Sequence, residues 1–349
     1  MTEPDPPFVE TVRIQNFGCA RDVTLELSRL HALIGPNDSG KSTVLHAIRI
    51  VAELARMGPN FHMDRPDRRV LHPSTMISLQ WGTTAITYSS AEGRRLLSTP
   101  QSSSQIDPAM AATSAAPVYG AHLIRWDPDA IRRSSELIPE TDVLTLGERG
   151  ERLPAVYDSL LSRDRDAFVA IEGELRMLFP TVRGIWLPAL NSSEKALGVV
   201  LADGTKVHAD EMSEGLLYWL AFAILPHVSP TAILLIEEPE NGLHPARIAD
   251  VVKVLRQISR RTQVILATHS PLVINELAPT EVTILTRDPD RGTQATRLDR
   301  TKNFQQRQQV YALGELWLSY ADGIDEAALV KGADRGEGDE QHDQGVPRR

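Results

Sequence analysis

The chain has 349 residues, of which 42% are apolar and 24% charged, a balance typical of a folded globular protein. Its formal net charge of −9 argues against a surface coated with nucleic acid. The single cysteine, Cys19, excludes an intramolecular disulfide and a thiolate metal site. The longest apolar run, 216–228, is too short to cross a bilayer, and the N-terminus lacks a signal-peptide pattern. We therefore expect a cytoplasmic protein without a membrane partner.

The N-terminal part of the chain is predicted to be rich in strands. Period-2 alternation at 22–28 indicates a half-buried strand, and a short apolar strand at 30–34 leads into a Gly-rich loop. A helix is predicted from Lys41, because the apolar residues that follow fall on one stripe. Two short segments, 76–81 and 84–88, have the pattern of a hairpin.

The middle and C-terminal parts differ in pattern. Residues 98–117 are rich in Ser, Ala, Gln and Pro and predict a flexible loop, whereas 153–178 has helical periodicity, which we interpret as an insertion with its own smaller core. The continuous apolar run 232–236 predicts a central strand covered on both faces. A helix from Pro245 and a strand at 263–268 follow, and this strand–helix–strand order predicts parallel pairing.

The loop after the strand at 30–34 fits the phosphate-loop pattern G-x-x-x-x-G-K-[ST]. Its glycines let backbone N–H groups turn inward around phosphates, and the helix that follows directs its positive end at the anion. Lys41 can reach the outer phosphates, and the Ser42 hydroxyl can join a Mg²⁺ shell. The alternative is a chance Gly-rich turn. The expected nucleotide-binding residues here are Gly35, Pro36, Asn37, Asp38, Ser39, Gly40, Lys41, Ser42 and Thr43.

Two acids, Glu237 and Glu238, end the apolar strand at 232–236. Carboxylates at such a place are costly without a cation or hydrogen-bond partners. In the functional interpretation, Glu237 binds Mg²⁺ through water, and Glu238 is the base that orients the attacking water. The alternative is an exposed acidic strand end.

Two further elements lie near the same strands. Ser213 and Gly215 open an apolar helix, where a serine, a glycine and a helix N-terminus could hold a γ-phosphate, although Ser213 could also act only as an N-cap. His269 follows the strand at 263–268, at the carboxyl end where ligands of doubly wound sheets bind. It could hydrogen-bond a γ-phosphate or the attacking water, or it could be a satisfied strand-end histidine. The expected catalytic residues are thus Glu238, His269 and Lys41.

These four elements, in this order, resemble the Walker A, signature, Walker B and switch-histidine motifs of the ABC ATPase superfamily. The opening 12–17 followed by 33–37 is similar to the SMC/RecF/OLD branch, and 237–245 is very like the Walker B and D-loop of OLD-type ATPases. The resemblance implies an α/β fold, a P-loop NTPase of the ABC-ATPase head type. Its mixed or parallel central sheet would be flanked by helices, with an antiparallel N-terminal β subdomain and a helical insertion.

The chain departs from the family pattern at several positions. Glu237 stands where most ABC ATPases carry aspartate, and Gln80 is the nearest candidate for the Q-loop glutamine. Roughly 170 residues separate the Walker A and signature motifs, too few for the long coiled coil of an SMC protein. A TOPRIM nuclease domain is not expected, since Lys331 stands where a metal-binding glutamate would be needed; likewise 288–290 is predicted to be a turn.

The resemblance divides the chain into five regions. They are an N-terminal lobe with Walker A at 8–98, a flexible loop and helical insertion at 99–184, a lobe with signature, Walker B and switch histidine at 185–300, a helical segment at 301–331 and a disordered tail at 332–349.

The resemblance also implies a mechanism, in which two protomers sandwich two Mg-ATP and Ser213 and Gly215 of one close over the nucleotide of the other. We expect an ATPase switch for a separately encoded nuclease or toxin in DNA maintenance or phage defence. The alternatives are an ATP-locked scaffold that sequesters a partner, or the nucleotide-binding subunit of a membrane transporter. DNA stays a candidate partner, because small basic clusters occur at 65–69, 132–133 and 260–261.

Overall fold

A computed structural model describes residues 6–57, 74–91, 94–98, 116–301, 304 and 312–315. The predicted flexible loop lies almost entirely outside these residues, as do the basic cluster at 65–69, most of the helical segment at 301–331 and the tail at 332–349. Among the helices of the described ranges, none is long and apolar enough to cross a membrane.

Strands dominate the two ends of the described chain and helices its middle. The strands are β1 (Thr11–Phe17), β2 (Ala20–Glu26), β3 (Leu30–Ile34), β4 (Thr75–Trp81), β5 (Thr84–Ala91), β6 (Arg94–Ser98), β7 (Ala121–Ile124), β8 (Ser135–Glu136), β9 (Val182–Trp186), β10 (Glu194–Lys195), β11 (Gly198–Leu201), β12 (Lys206–His208), β13 (Ile233–Glu237), β14 (Gln263–Thr268), β15 (Val282–Asp288) and β16 (Gly292–Arg297). The helices are α1 (Lys41–Met57), α2 (Pro128–Arg132), α3 (Leu153–Arg163), α4 (Arg165–Leu178), α5 (Glu214–Ala223), α6 (Pro245–Ile258) and α7 (Pro271–Asn275).

The central sheet joins parallel and antiparallel strands edge to edge. Within the described residues it has eleven strands in the order β6-β5-β4-β1-β2-β16-β15-β3-β14-β13-β7. The strands from β15 to β7 pair in parallel, and those from β15 to β6 pair antiparallel. The predicted fold class is confirmed, and its antiparallel N-terminal strands continue the same sheet as the parallel ones.

The parallel strands are buried on both faces, which explains their continuous apolar sequences. Successive side chains of a strand point to opposite faces, so Leu234 and Ile236 of β13 join the core that includes α5 and α6. The alternate residues, Ile233 and Leu235, join the core beneath α1. The predicted stripe of α1 is buried there as well, so both layers of helices cover the sheet.

The described part of the middle region, 116–184, shares the main core, so the predicted separate core is wrong. Strand β7, within the region expected to be loop and insertion, pairs in parallel with β13 as the edge of the central sheet. Tyr157 of α3 is fully buried in the same core as α5, and its hydroxyl donates a 2.7 Å hydrogen bond to the Leu220 carbonyl. Helical periodicity shows that a helix has an apolar face but not which surface covers it.

The helical pattern at 153–178 is two helices rather than one. Asp164 separates α3 from α4 and caps the second, since its side chain accepts a hydrogen bond from the Ala167 backbone N–H. Two small sheets, β9-β11-β12 and β8-β10, complete the described structure. Their strands lie between α4 and α5 in the chain, except β8, which precedes α3.

Candidate functional site

Three parallel strands end at one edge of the central sheet, and the predicted site residues follow them. The loop 35–40 follows β3, Glu237 ends β13 with Glu238 directly after it, and His269 follows β14. Because β14 lies between β3 and β13, the residues after these strands meet above its carboxyl end. Lys41, Ser42, Thr43, Glu237, Glu238 and His269 all line one open cleft of about 370 Å³.

The phosphate-type loop is shaped by two glycines that no other residue could replace without movement. A Cβ on Gly35 would lie 2.2 Å from the Leu285 carbonyl oxygen, which is backbone and cannot turn aside. Gly40 has a φ of +105°, and its Cβ would lie 2.4 Å from the Thr293 hydroxyl. The loop therefore packs tightly against β15 and β16, which leave no space for a side chain at either glycine.

Lys41 begins α1 and turns back over the loop. Its ammonium donates hydrogen bonds to the carbonyls of Gly35 at 2.7 Å and Pro36 at 2.9 Å, and the residue is only 8% exposed. Burial lowers the pKa of Lys41 to about 8, although the carboxylates of Glu238, Glu240 and Glu237 act to raise it. An anion beside the ammonium would also raise the pKa of Lys41 and so favour its charged form.

The other loop residues divide between the cleft and the interior. Asn37, Asp38 and Gly40 line the cleft, and Asp38 has a positive φ of 65°. Ser39 is fully buried, and its hydroxyl has no hydrogen-bond partner among the described residues. Gly35 and Pro36 supply the carbonyls that hold Lys41, so the loop and its lysine form one unit.

Glu237 is the buried member of the acidic pair. Its side chain is 11% exposed, and Oε2 lies 3.7 Å from Nη1 of Arg125, which follows β7. Oε1 is buried and has no hydrogen-bond partner within the described ranges. A buried carboxylate oxygen without a partner is costly, and hard divalent cations bind such oxygens. Glu237 and Ser42 both line the cleft, and a carboxylate with a hydroxyl fits the requirements of Mg²⁺.

Glu238 is the exposed member, with a strained backbone. Its φ is +49°, a left-handed conformation that non-glycine residues rarely adopt and that is often found at functional sites. The backbone N–H is fixed by a 2.7 Å hydrogen bond to the Ala267 carbonyl. The carboxylate, 45% exposed, accepts a hydrogen bond from the Asn241 amide and lies 3.9 Å from Nε2 of His269. It is thus directed into the cleft beside the histidine.

His269 is partly buried beside Lys41 and two acids. Burial lowers its pKa, as does the Lys41 ammonium, while Glu238 and Glu240 act to raise it. The net direction favours a neutral imidazole near pH 7, which has both a hydrogen-bond donor and an acceptor.

Ser213 and Gly215 lie outside the cleft of their own chain. The Ser213 side chain caps α5 and accepts a 3.4 Å hydrogen bond from the Leu216 N–H, as its N-cap interpretation predicts. A Cβ on Gly215 would lie 3.2 Å from the carbonyl oxygen of Gly242, in the turn after β13. Neither residue is among those that line the cleft around Lys41.

Several residues of the site carried no signal in the sequence. Gly18 and Cys19, in the turn between β1 and β2, and Arg287 of β15 line the cleft. Arg125 contacts Glu237 only because β7 pairs with β13. These contacts depend on pairing between distant segments, which no local pattern reveals.

Two sequence interpretations outside the site are also resolved. Gln80 lies in β4, exposed and away from the cleft, so it is a strand residue. The predicted turn at 288–290 is present between β15 and β16, where the Asp288 side chain accepts hydrogen bonds from the backbone N–H groups of Asp290 and Arg291.

The fold and the site together define a P-loop nucleotide-binding domain. Residues 120–275 match the family described as an AAA domain, putative AbiEii toxin, type IV TA system, and residues 8–81 match the family described as an AAA ATPase domain. These two matches, together with the short similarity to an OLD nuclease given below, support an ATPase of the SMC/RecF/OLD-like type.

Individual proteins are similar to the chain over different lengths. A stretch of 44 residues is 41% identical to an OLD nuclease of Thermus scotoductus, and it covers 13% of this chain and 8% of that protein. The SMC head bound to the C-winged helix domain of ScpA has a TM-score of 0.60 at 14% identity, over 83% of this chain and 98% of that one. An Smc head with an extended coiled coil, bound to the C-terminal domain of ScpA derived from Pyrococcus furiosus, has a TM-score of 0.53 at 14% identity, over 83% and 96%. Both structures share the fold.

Proposed function

We propose that the chain binds Mg-ATP in this cleft and hydrolyses it. The observation that supports this most directly is the convergence of Lys41, Glu238 and His269 on one cleft, although they lie on three separate segments. A cation above a phosphate-type loop, a carboxylate directed into the cleft and a neutral histidine beside it are the groups that phosphoryl transfer to water requires.

Each side chain has a distinct part in the proposed reaction. Lys41 and the loop N–H groups bind the outer phosphates, and Ser42 and Glu237 hold Mg²⁺, directly or through water. When bound, the metal neutralises phosphate charge. Glu238 orients the attacking water and accepts its proton, and the His269 imidazole hydrogen-bonds the γ-phosphate or that water. The 3.9 Å between Glu238 and His269 leaves both groups within reach of one small reactant.

We further propose that two protomers complete the site. Ser213 and Gly215 stand at the N-terminus of α5, away from the cleft of their own chain, where the free N–H groups and the helix dipole favour an anion. In a head-to-tail dimer these residues would close over the γ-phosphate of the partner. ATP would then hold the dimer together, and hydrolysis would release it.

The dimer would act as a switch for a separately encoded effector, a nuclease or toxin, in DNA maintenance or phage defence. The names of the relatives support this direction: one matched family is described as a putative AbiEii toxin, type IV TA system, and the short match at 41% identity is to an OLD nuclease. DNA is retained as a candidate ligand of the assembled dimer.

The test is ATP turnover and assembly by the wild type and Glu238→Gln. We expect wild-type hydrolysis that depends on Mg²⁺, and a Glu238→Gln protein that binds ATP, turns it over at least about 100-fold more slowly and sediments as a dimer. Ser213→Ala is the matched variant, expected to retain nucleotide binding in the monomer and to lose the dimer. Wild-type turnover near the background rate would refute the enzyme and favour the scaffold.

The effector is tested by affinity purification of the Glu238→Gln protein with ATP from its own host. Recovery of a nuclease, a toxin or DNA would support the switch. Recovery of a membrane permease would instead support the transporter alternative, while leaving the nucleotide site in place.

A further inference from the structure

The turn after β13 is connected to the strand end that carries His269. Residues 239–244 form this turn between Glu238 and the start of α6. Oε1 of Glu240, within the turn, accepts a 2.7 Å hydrogen bond from the Thr268 hydroxyl and a 3.0 Å hydrogen bond from the His269 backbone N–H. One carboxylate oxygen thus binds the histidine and the residue before it.

The same contact extends to the residue after the histidine. The Ser270 backbone N–H donates a 3.0 Å hydrogen bond to the Thr268 hydroxyl, which itself donates to Glu240. The three consecutive residues 268–270 are therefore fixed by one chain of hydrogen bonds that ends on Glu240. Because the backbone is held at and beside His269, the point from which its side chain leaves the strand end is fixed.

The other end of the turn is fixed to the helix that Ser213 caps. Gly242 has a φ of +69°, and a Cβ there would lie 2.1 Å from the Tyr218 ring of α5. The turn thus touches the strand end of His269 through Glu240 and α5 through Gly242. Its position depends on both.

We propose that Glu240 is a positioning residue for hydrolysis, whose carboxylate holds His269 in the orientation that acts beside Glu238. The proposal rests on the proposed function, since it gives Glu240 a part only if His269 serves ATP turnover. Glu240 itself does not line the cleft around Lys41, so it acts through the histidine rather than on the nucleotide. Its loss is expected to slow turnover while nucleotide affinity, set by the loop and Lys41, is retained.

This role requires an acceptor oxygen at the right place, whereas the negative charge of Glu240 acts separately by raising the pKa of Lys41 and His269. Both donors meet a single oxygen, and a glutamine amide oxygen can accept both hydrogen bonds. Glu240→Gln should therefore restore most of the activity that Glu240→Ala loses. Aspartate is one methylene shorter and should not reach both donors.

A matched control exists at Glu281, a partly buried glutamate that also accepts a backbone N–H, from Ala278 at 2.8 Å, and pairs with Arg256. It lies outside the cleft. Glu281→Ala removes a comparable carboxylate from the same fold, so it reports the effect of lost stability alone.

The experiment measures kcat and KM for ATP, equilibrium binding of a fluorescent ATP analogue and thermal unfolding for the wild type and the variants at 240 and 281. We expect Glu240→Ala to lower kcat about tenfold or more with KM and analogue affinity nearly unchanged, and Glu240→Gln to recover most of it. Glu281→Ala should lower the unfolding temperature and leave kcat close to that of the wild type.

Three outcomes would overturn the proposal. Glu240→Ala could retain wild-type kcat, its loss could equal that of Glu281→Ala at the same loss of stability, or Glu240→Gln could fail to recover activity while folded. In each case active wild-type protein keeps the proposed function intact. An inactive wild type that still binds the analogue would refute hydrolysis itself, and this inference with it.

Discussion

The two halves of the central sheet differ in where their strands end. In the parallel half, β3, β13 and β14 all end at one edge, so the loop at 35–40, Glu237 and His269 meet there. In the antiparallel half, successive strands end at opposite edges, so the residues that follow them are separated. The parallel half therefore gathers the reactive groups, whereas the antiparallel half closes one wall of the cleft and holds the loop from behind.

The two halves do not differ in burial; they differ in the surroundings of their polar residues. Both halves bury apolar side chains, for example Ile236 in β13 and Ile14 in β1. In the parallel half, however, the polar residues at the strand ends face the cleft, while in the antiparallel half exposed residues such as Glu26 form surface ion pairs. Substitutions at strand ends of the parallel half should thus change turnover, whereas substitutions at the surface ion pairs of the antiparallel half should leave turnover unchanged.

The largest effect is expected at the parallel edge, for Lys41→Ala. Removing the ammonium at the loop should lower kcat/KM for ATP by at least about 100-fold, because the outer phosphates lose a charged donor. Steady-state turnover and analogue binding measure this. Lys41→Arg, which keeps the charge in a larger group, separates loss of charge from loss of fit. Full activity of Lys41→Ala would disprove the assignment of the site.

The next effect concerns His31, inside the parallel half on β3. Burial lowers its pKa to about 3, and Nε2 lies 2.9 Å from the Thr283 hydroxyl. The folded protein therefore keeps this ring neutral while the unfolded chain binds a proton below pH 6.5, so stability is lost as pH falls from 6.5 towards 3. By pH 4.5 the loss from this group is about 3 kcal/mol.

The check is urea unfolding at pH 7.5 and 4.5 for the wild type and His31→Gln, since glutamine does not titrate. At pH 7.5 the histidine is neutral in both the folded and the unfolded state. The difference in unfolding free energy between the wild type and His31→Gln at this pH therefore gives the packing cost alone. Equal pH dependence in the two proteins would show that His31 contributes nothing to acid sensitivity.

A smaller effect tests whether the middle helices share the core of the parallel half. Tyr157→Phe removes the hydroxyl that donates to the Leu220 carbonyl and should lower the free energy of unfolding by about 1 kcal/mol. We expect one unfolding transition, shifted as a whole. Tyr119→Phe, at an exposed tyrosine, should change the free energy by less than about 0.5 kcal/mol. If two unfolding transitions are seen and only one of them is shifted by the substitution, the hypothesis that the insertion has a separate core would be supported.

The smallest effect is expected in the antiparallel half, at Glu26. The Arg300 guanidinium lowers the pKa of this carboxyl, with Arg297 also contributing, but the side chain is 46% exposed and solvent screens the pair. Glu26→Gln should therefore change stability by less than about 1 kcal/mol, an effect that fades in high salt and as pH falls below 4.5. ATP turnover should equal that of the wild type; a fall would mean that this half takes part in the chemistry.

Much of the site was accessible from the sequence because its motifs are local. A phosphate-type loop needs glycines at fixed spacing between a strand and a helix, and the predicted strand Leu30–Ile34 and the helix from Lys41 are both present as expected. The strand Gln263–Thr268 likewise has its predicted bounds, since both its faces are buried. The chemical roles of Lys41, Glu238 and His269 stay predictions until turnover is measured.

The sequence by itself identified the residues of the phosphate-type loop, the acidic pair and His269, because each depends on a short spacing beside a predicted strand, and the resemblance carried by these motifs implied the fold class. Only the tertiary structure decided that β7 lies beside β13, that Arg125 faces Glu237 and that Glu240 holds the backbone of His269. It also decided that the middle helices share the main core. The first three contacts join residues that are 29 to 112 positions apart in the chain, and the shared core depends on which buried surfaces meet. The periodicity of either segment alone does not indicate its partner.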